Sequence, residues 1–486
     1  MTSDRTVYGI TSYGGYVPRL RMQRAAIAAA HQWMAPNLRG LGKGHRAFCS
    51  WDEDSVTMAV EAARDALGER PREGIESLVF SSTRFPFDDL QCASIVAGAL
   101  GLTAAVRTQD IGHSQRAGVS GLLAQLRAGA ANVLIVASDH PSGKPASTQE
   151  MTYGAGAAAF TLGNEGVIAE LLGSASRANL FVDHFRGAGS KHDYFWEERW
   201  IRDEGYSKIV PEAVKAALTD AGVSADQVKH FILASPSRDM GGMVAKKCGF
   251  AREAVTDPLD EQCGYAGSAH PCVMLAHALE RAQPDDVLVV AGFGQGCDVL
   301  VLRATDAIAA FKPRRGISGA LADSQSHDAY LRMLSYDDGI ELEWGMRAEK
   351  QVKTAFTEQY RSSHQLNSFT AGKCRACGMV QFPQLAYCVN PQCHAPASEF
   401  EAADLFDQPA KVLTHTADWL SYHPSPPLYV GFVQFDVGAR LLMEIVDVGA
   451  AGLDVGTPLR MVFRIKDVDK ARGYPRYFWK ATPLAA

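Results

Sequence analysis

Four cysteines stand close together late in the sequence: Cys374 and Cys377 form a C-x-x-C pair, and after ten intervening residues Cys388 and Cys393 form a second pair. Each short spacing turns two sulfurs toward one point, and two such pairs can close a tetrahedron around zinc. Four thiolates leave no open position for a catalytic water, so the chemistry expected is structural: a zinc ribbon that holds a small domain together. Left unliganded, they would be reactive thiols with no function to protect them. The other six cysteines, Cys49, Cys92, Cys248, Cys263, Cys272 and Cys297, are scattered, which suits reduced thiols and not a disulfide framework.

The elements that would carry further chemistry lie upstream. Residues 1–305 alternate short apolar runs such as SLVFSS (77–82) and ANVLIVASD (131–139) with amphipathic segments such as LQCASIVAGALGL (90–102) and QRAGVSGLLAQLRAG (115–129). Strands alternating with helices predict an α/β core. The rhythm occurs twice, the second time in MLAHALERAQPDDVLVVAGFGQGCDVLVLRAT (274–305), so two related halves are expected, 1–165 and 166–305. Residues 306–372 read as a linker followed by one or two helices that bury little. The cysteine window, 373–399, comes next. Over 400–486 runs such as KVLTHTADW, LYVGFVQFD, ARLLMEIVDV and PLRMVFRIKD predict a small β-barrel.

Composition narrows the partners. With 486 residues, 47% hydrophobic and 21% charged, the chain has the make-up of a multi-domain globular enzyme. Forty-eight basic against 54 acidic residues give a net charge of -6, without the basic excess that nucleic-acid or anionic-membrane binding requires. No run approaches about 18 apolar residues and the N-terminus is polar, so a cytoplasmic protein with no membrane segment is expected.

The motifs ITSYGGYVPRLRM (10–22), DEDSVTMAVEAARDAL (52–67), IVASDHP (135–141), GAGAAAFTLG (154–163), GMVAKKCGF (242–250), CGYAGSAH (263–270) and GFGQGCD (292–298) occur in order across the first 305 residues. This region resembles the thiolase superfamily, in the branch of 3-hydroxy-3-methylglutaryl-CoA synthase and ketoacyl synthase III. The resemblance implies a duplicated five-layered αβαβα fold, a homodimer and coenzyme A as substrate or acyl carrier. The C-terminal part resembles the zinc-ribbon/OB-fold proteins that accompany thiolases as separate subunits, here fused. That implies an OB-type barrel bordering the acyl-CoA entry tunnel, with a thiolase as a possible partner.

Residue by residue, the resemblance exposes substitutions. The branch places a nucleophilic cysteine in D-x-x-x-x-C-x-A-G at a helix start, where the dipole favours the thiolate. Here the stretch from Asp110 to Gly118 carries Gln115, and an amide cannot form a thioester. The glutamate and histidine of the branch fall on Thr83 and Ala234. The vertex that opens the family's G-N-T or G-H-P motif aligns with Cys263, which suggests a thiol moved to the opposite side of the pocket. His113 and His270 are candidate bases. Gly292, Phe293 and Gly294 belong to the loop that in the family offers a backbone N–H to the thioester oxygen.

The leading expectation is an acyltransferase acting on acyl-CoA carbon–carbon bonds, with cleavage of a β-keto acid substrate (retro-Claisen) favoured over condensation and catalysed by Cys263, Gln115, His113 and His270. One alternative is a non-catalytic acyl-CoA-binding or scaffolding partner of an active thiolase. Another is a decarboxylase like the glutamine-containing loading ketosynthases.

Overall fold

The computed structural model describes residues 7–346 and 352–484. It separates into two compact units: one built from residues up to Leu334, the other from Ser335 onward together with Trp51–Glu53 and Gly98–Leu102.

In the first unit the apolar runs become strands. One half-sheet runs Gly9–Tyr16, Gly156–Gly163, Val133–Asp139, Ser77–Ser81, Arg107–Ile111, with two antiparallel pairings followed by two parallel ones. The other half runs Ala169–Ala178, Gly296–Ala304, Val287–Phe293, Val228–Leu233, again two antiparallel pairings and then a parallel one. A single parallel bridge from Phe231 to Val255 stands where the first half has its fifth strand. The halves meet at Gly9–Glu170 and Ile10–Ala169. The duplication is therefore written in strand order and direction.

Helix Ser55–Leu67 packs on strands of the first half, and Val210–Ala221 on strands of the second. Ala117–Ala128 and His270–Leu279 touch strands of both and form the middle of five layers. Their composition demands that place. All ten residues of His270–Leu279 are buried, and Ala117–Ala128 buries Val119, Leu122, Leu123 and Leu126 together with its glycines. A helix apolar nearly all round belongs inside, and each such leucine or valine contributes roughly 1.5–3 kcal/mol by burial. Gly118 permits the approach of the two central helices' leading ends, because a Cβ there would fall 2.6 Å from the Ser268 carbonyl oxygen.

Residues 306–334 correct the linker expectation. Gly316–Ala322 is a helix that buries Ile317 and Ala320, Gln325–His327 pairs in parallel with Leu20–Gln23, and Tyr330 and Met333 are buried. The apolar positions come in clusters too short for their periodicity to stand out between charged neighbours. Of the charged stretch read as helical, 347–351 lie outside the described residues; Phe356–Arg361 and Ser363–Leu366 are helices.

In the second unit Thr370–Cys374 pairs with Val380–Gln381 and Phe400–Asp404. Five antiparallel strands follow, ordered Arg440–Glu444, Leu428–Phe435, Ala410–Asp418, Pro458–Asp469, Tyr474–Pro483, and a parallel bridge from Ile445 to Ala481 closes them on themselves. Trp479 fills the centre, stacked between Phe369 and Phe406. Beside it lies a buried ionic cluster. Lys480 Nζ is 3.0 Å from both Asp52 Oδ2 and Glu444 Oε2 and 4.1 Å above the Trp51 ring, while Arg464 holds Glu53 at 3.0 Å and Asp447 at 2.9 Å.

Candidate active site and metal cluster

Gln115 lies just ahead of the central helix Ala117–Ala128, at the position the motif assigns to the nucleophile. It is buried and bonded on both sides of its amide. Its Nε2 lies 2.8 Å from His184 Nε2, and its Oε1 accepts from the Tyr265 hydroxyl at 3.0 Å. His184 Nδ1 is 3.0 Å from Asp183 Oδ2, and the other carboxylate oxygen accepts from Gln295 Nε2 at 2.7 Å. With neutral histidine the directions agree along the whole chain: Tyr265 donates to Gln115, Gln115 donates to Nε2, and Nδ1–H donates to Asp183. Burial opposes a charge on His184, but the Asp183 hydrogen bond and the nearby carboxylates of Asp183, Asp193 and Asp139 outweigh it, so its pKa is raised above 6.5.

Gln115, Asp183, His184 and Tyr265 border a cavity of about 310 Å³ counted with the open solvent at its mouth, lined also by Tyr153, Phe195, Ile201, Tyr206, Pro236 and Phe293. Most of that space is open to solvent, and the enclosed part, about 10 Å³, has room for about one water molecule. Two local structures build one wall. His184–Phe185 and Tyr194–Phe195 form a hairpin whose register pairs His184 with Phe195, so both cavity residues share one rung. The nine residues Ile201–Ile209 wind as a π-helix that supplies Ile201 and Tyr206. Such helices recur at functional sites. Gly205 belongs to this packing, since a Cβ there would strike the Phe293 ring at 2.6 Å. Burial pushes the phenols of Tyr153, Tyr206 and Tyr265 well up, so all three are neutral donors near pH 7.

The residues singled out from the sequence divide. Gln115 and Phe293 line the cavity. Gly294 lies against Gln115, and a Cβ on it would sit 3.0 Å from the Gln115 nitrogen, so the glycine allows the close passage. Its own N–H is spent on Gly296 O at 2.9 Å, and Gly292 lies in the paired strand before it. The expected oxyanion donor is thus turned into the loop.

Cys263 is not among the lining residues. It is 1% exposed, its Sγ is 3.5 Å from the carbonyl oxygens of Leu259 and Gly264, and burial pushes the thiol up to about 11. A group so placed is a protonated core thiol, the opposite of an activated one. Tyr265, two residues on, occupies the vertex facing Gln115. His270 is also structural: Nδ1 accepts from Ala266 N–H at 3.2 Å, Nε2 donates to Pro258 O at 2.8 Å, and burial lowers its pKa. Both ring nitrogens are committed. His113 is exposed, with φ +66°, outside the cavity. Thr83 donates to Asp139 at 2.7 Å, as does Ser268, which ties two loops together. His184 was not legible in the motifs; it sits 69 residues from Gln115 on a strand of two residues.

In the second unit the four cysteines converge. Their sulfurs all lie within 4.8 Å of one another, with Cys374 Sγ to Cys393 Sγ at 3.8 Å and Cys377 Sγ to Cys388 Sγ at 3.5 Å. A tetrahedron with Zn–S near 2.3 Å has edges of about 3.8 Å, whereas a disulfide would need about 2.05 Å. Two tight turns set this up: Gly378 N–H donates to Cys374 O, and Cys393 N–H donates to Asn390 O. The donor set and its spacing fit zinc.

Residues 218–302 match the family model of the 3-oxoacyl-[acyl-carrier-protein] synthase III C terminal. Among solved structures, MvaS in complex with 3-hydroxy-3-methylglutaryl coenzyme A aligns with a TM-score of 0.57 at 19% identity, covering 69% of this chain and 92% of that one. The 3-oxoacyl-(acyl carrier protein) synthase III from Pseudomonas aeruginosa aligns at 0.55 and 21%, covering 62% and 98%. Both show the shared fold. Hydroxymethylglutaryl-CoA synthase of Archaeoglobus fulgidus is 29% identical over 62% of this chain and 90% of its own. The enzyme of that name from Aeropyrum pernix is 31% identical over 71% of this chain and 94% of its own length, and on that extent of likeness the chain belongs to the hydroxymethylglutaryl-CoA synthase family.

Proposed function

We propose that this member of an acyl-CoA acyltransferase family works on a carbon–carbon bond of its thioester substrate without forming an acyl-enzyme, using His184 as the base. The observation that carries this reading is the hydrogen-bond chain Asp183–His184–Gln115: the nucleophile's position holds an amide, and a histidine aligned by a carboxylate is bonded directly to it. Asp183 fixes the Nδ1–H tautomer and leaves Nε2 as the proton acceptor, and the raised pKa keeps that nitrogen basic. Gln115 contributes the amide N–H that a developing enolate oxygen would draw upon. Coenzyme A enters as the acyl carrier, as in the complexes formed by its structural neighbours.

Cleavage is the favoured direction. Addition without a covalent acyl-enzyme must hold two acyl thioesters together in one small cavity, whereas cleavage of a β-keto thioester brings one, with water or the thiol of free coenzyme A adding to the keto carbon and leaving on the acyl fragment. The zinc ribbon and an OB-type assignment for the five-stranded barrel complete the proposal, zinc acting structurally through Cys374, Cys377, Cys388 and Cys393, and the active form is a homodimer. Metal analysis should find one zinc per chain, and a metal-free preparation that keeps its melting temperature would remove that part.

The central test pairs His184→Asn with mass spectrometry of the protein after incubation with acyl-CoA. The expected result is turnover lowered by about 10²- to 10⁴-fold and no acyl adduct on the wild type. A stable acyl adduct on any cysteine, or full activity in His184→Asn, would overturn the reading.

A further inference from the structure

Resting on the cleavage reading, we infer that Tyr153 is a catalytic residue: its hydroxyl donates a hydrogen bond to the substrate's keto oxygen and holds the negative charge that this oxygen takes up. The N–H of the family's glycine loop is not there to do so, since Gly294 N–H is spent on Gly296 O at 2.9 Å. Some other donor must meet the charge, because an oxyanion taken out of water without one is costly.

The donors that line the cavity can be taken in turn. Gln115 Nε2 bonds to His184, and the Tyr265 hydroxyl bonds to Gln115 Oε1. Tyr206 has a side-chain hydrogen bond to Ser235. Tyr153 stands apart: it is 2% exposed, it lines the cavity, and its hydroxyl makes no hydrogen bond to any described residue. Buried hydroxyls are as a rule paired, and one left without a partner beside a cavity is available to what enters it.

Its placement is built into the backbone. Tyr153 bridges Tyr265 in parallel, with Tyr265 N–H donating to Thr152 O at 2.8 Å and Gly154 N–H to Tyr265 O at 2.9 Å. Glycine on each segment permits the approach: a Cβ on Gly154 would fall 1.9 Å from Cys263 O, and one on Gly264, at φ +77°, 2.9 Å from Tyr153 O. The phenol is thus fixed before substrate arrives, and a donor that needs no reorganisation is the effective kind. Burial and the nearby carboxylates of Asp193, Asp183 and Asp139 disfavour a tyrosinate, so Tyr153 donates its hydrogen bond and keeps its proton.

In the step it serves, water or the thiol of coenzyme A gives its proton to His184 Nε2 as its oxygen or sulfur bonds to the keto carbon, and the C=O pair moves onto the keto oxygen. That pair re-forms C=O as the substrate's Cα–Cβ bond breaks. The electrons of the broken bond pass into the thioester as an enolate, whose carbon takes the proton back from the imidazolium.

The experiment uses the purified full-length protein and two thioether ligands that cannot be cleaved: S-(3-oxobutyl)-CoA, which keeps the keto oxygen, and S-butyl-CoA, which lacks it. By calorimetry the wild type should bind the keto ligand about 2- to 10-fold more tightly, and Tyr153→Phe should bind the two alike. On acetoacetyl-CoA, Tyr153→Phe should lower kcat by about 10²- to 10³-fold, with KM raised by no more than that preference. Replacing Tyr153 with 3-fluorotyrosine, a stronger donor of nearly the same shape, should widen the preference. No preference in the wild type, a preference kept in Tyr153→Phe or unmoved by 3-fluorotyrosine, or an unchanged kcat would each overturn the inference. Loss of turnover in His184→Asn beside an unaffected Tyr153→Phe would leave the base reading standing and remove the donor. A keto preference lost in Tyr153→Phe while His184→Asn keeps full activity would leave the donor standing and remove the base.

Discussion

The two central helices of the body occupy related places in a duplicated fold, yet the residues before them live in different worlds. Before Ala117–Ala128, Gln115 faces a cavity and is wired to Asp183–His184. Before His270–Leu279, Cys263 is sealed, His270 has both nitrogens spent on backbone, and only Tyr265 reaches the cavity. Residue chemistry alone would assign the reactions the other way round, because a thiol outranks an amide as a nucleophile. Access and electrostatics decide: burial withholds the thiolate from Cys263, while a carboxylate secures the basicity of His184.

The largest effect that could break this contrast is a double comparison of activity. His184→Asn should cost at least about 10²-fold, and Cys263→Ala should leave kcat within a few-fold of wild type, both read in the same coupled assay of acyl-CoA release. A reversal of the two would restore the sequence-based assignment.

Placing sulfur at both vertices sharpens the contrast further. In Gln115→Cys the new thiol would sit at a helix start beside Asp183–His184, so it should be alkylated at neutral pH at least about tenfold faster than Cys263, whose thiol is pushed up to about 11. Peptide mapping after timed iodoacetamide exposure measures this, and equal rates would show that the two vertices do not differ in access or charge.

The pH profile gives a smaller, signed effect. The base form of His184 is neutral, and its pKa is raised, so kcat/KM should climb with pH through an inflection above 6.5. Asp183→Asn removes the hydrogen-bonded carboxylate that most strongly offsets burial, although Asp193 and Asp139 remain, so the inflection should move to lower pH while the maximal rate falls. An inflection that stays in place would mean that another group controls the rate.

His270→Asn should produce the smallest change in chemistry. It removes a ring that satisfies Ala266 N–H and Pro258 O, so thermal stability should drop by about 1–3 kcal/mol while kcat per folded molecule holds. Loss of kcat without loss of melting temperature would return His270 to the catalytic list.

The body's architecture was legible because its runs are long: ANVLIVASD and VLVVAGFGQGCDVLVLRA are apolar enough to be nothing but buried strands. Gln115 was legible because a local motif fixes its place at the head of a helix. His184 was not, since strands of two residues have no period to read and the bond to Gln115 spans 69 residues. Cys263 misled for a related reason. Motif position located its backbone correctly near the pocket, but the cavity admits the side chain at 265 and not the one at 263, and that distinction rests on packing between distant loops. The four zinc-type cysteines were legible because their geometry is local to two turns.

The ionic cluster around Lys480 and Arg464 has a consequence for the order in which this molecule can assemble. Asp52 and Glu53 emerge from the ribosome more than 400 residues before the lysine that Asp52 holds at 3.0 Å, so the second unit cannot complete itself from its own end of the chain. Glu53 waits for Arg464 on the next-to-last strand and Asp52 for Lys480 on the last. A fragment begun at Ser335 would close its barrel around Arg464 and Lys480 with Asp52 and Glu53 missing, leaving buried positive charge undercompensated. Cutting the chain at Ser335 would therefore not yield a free-standing module; Trp51–Glu53, and with them Gly98–Leu102 of the same unit, would have to be supplied back to it.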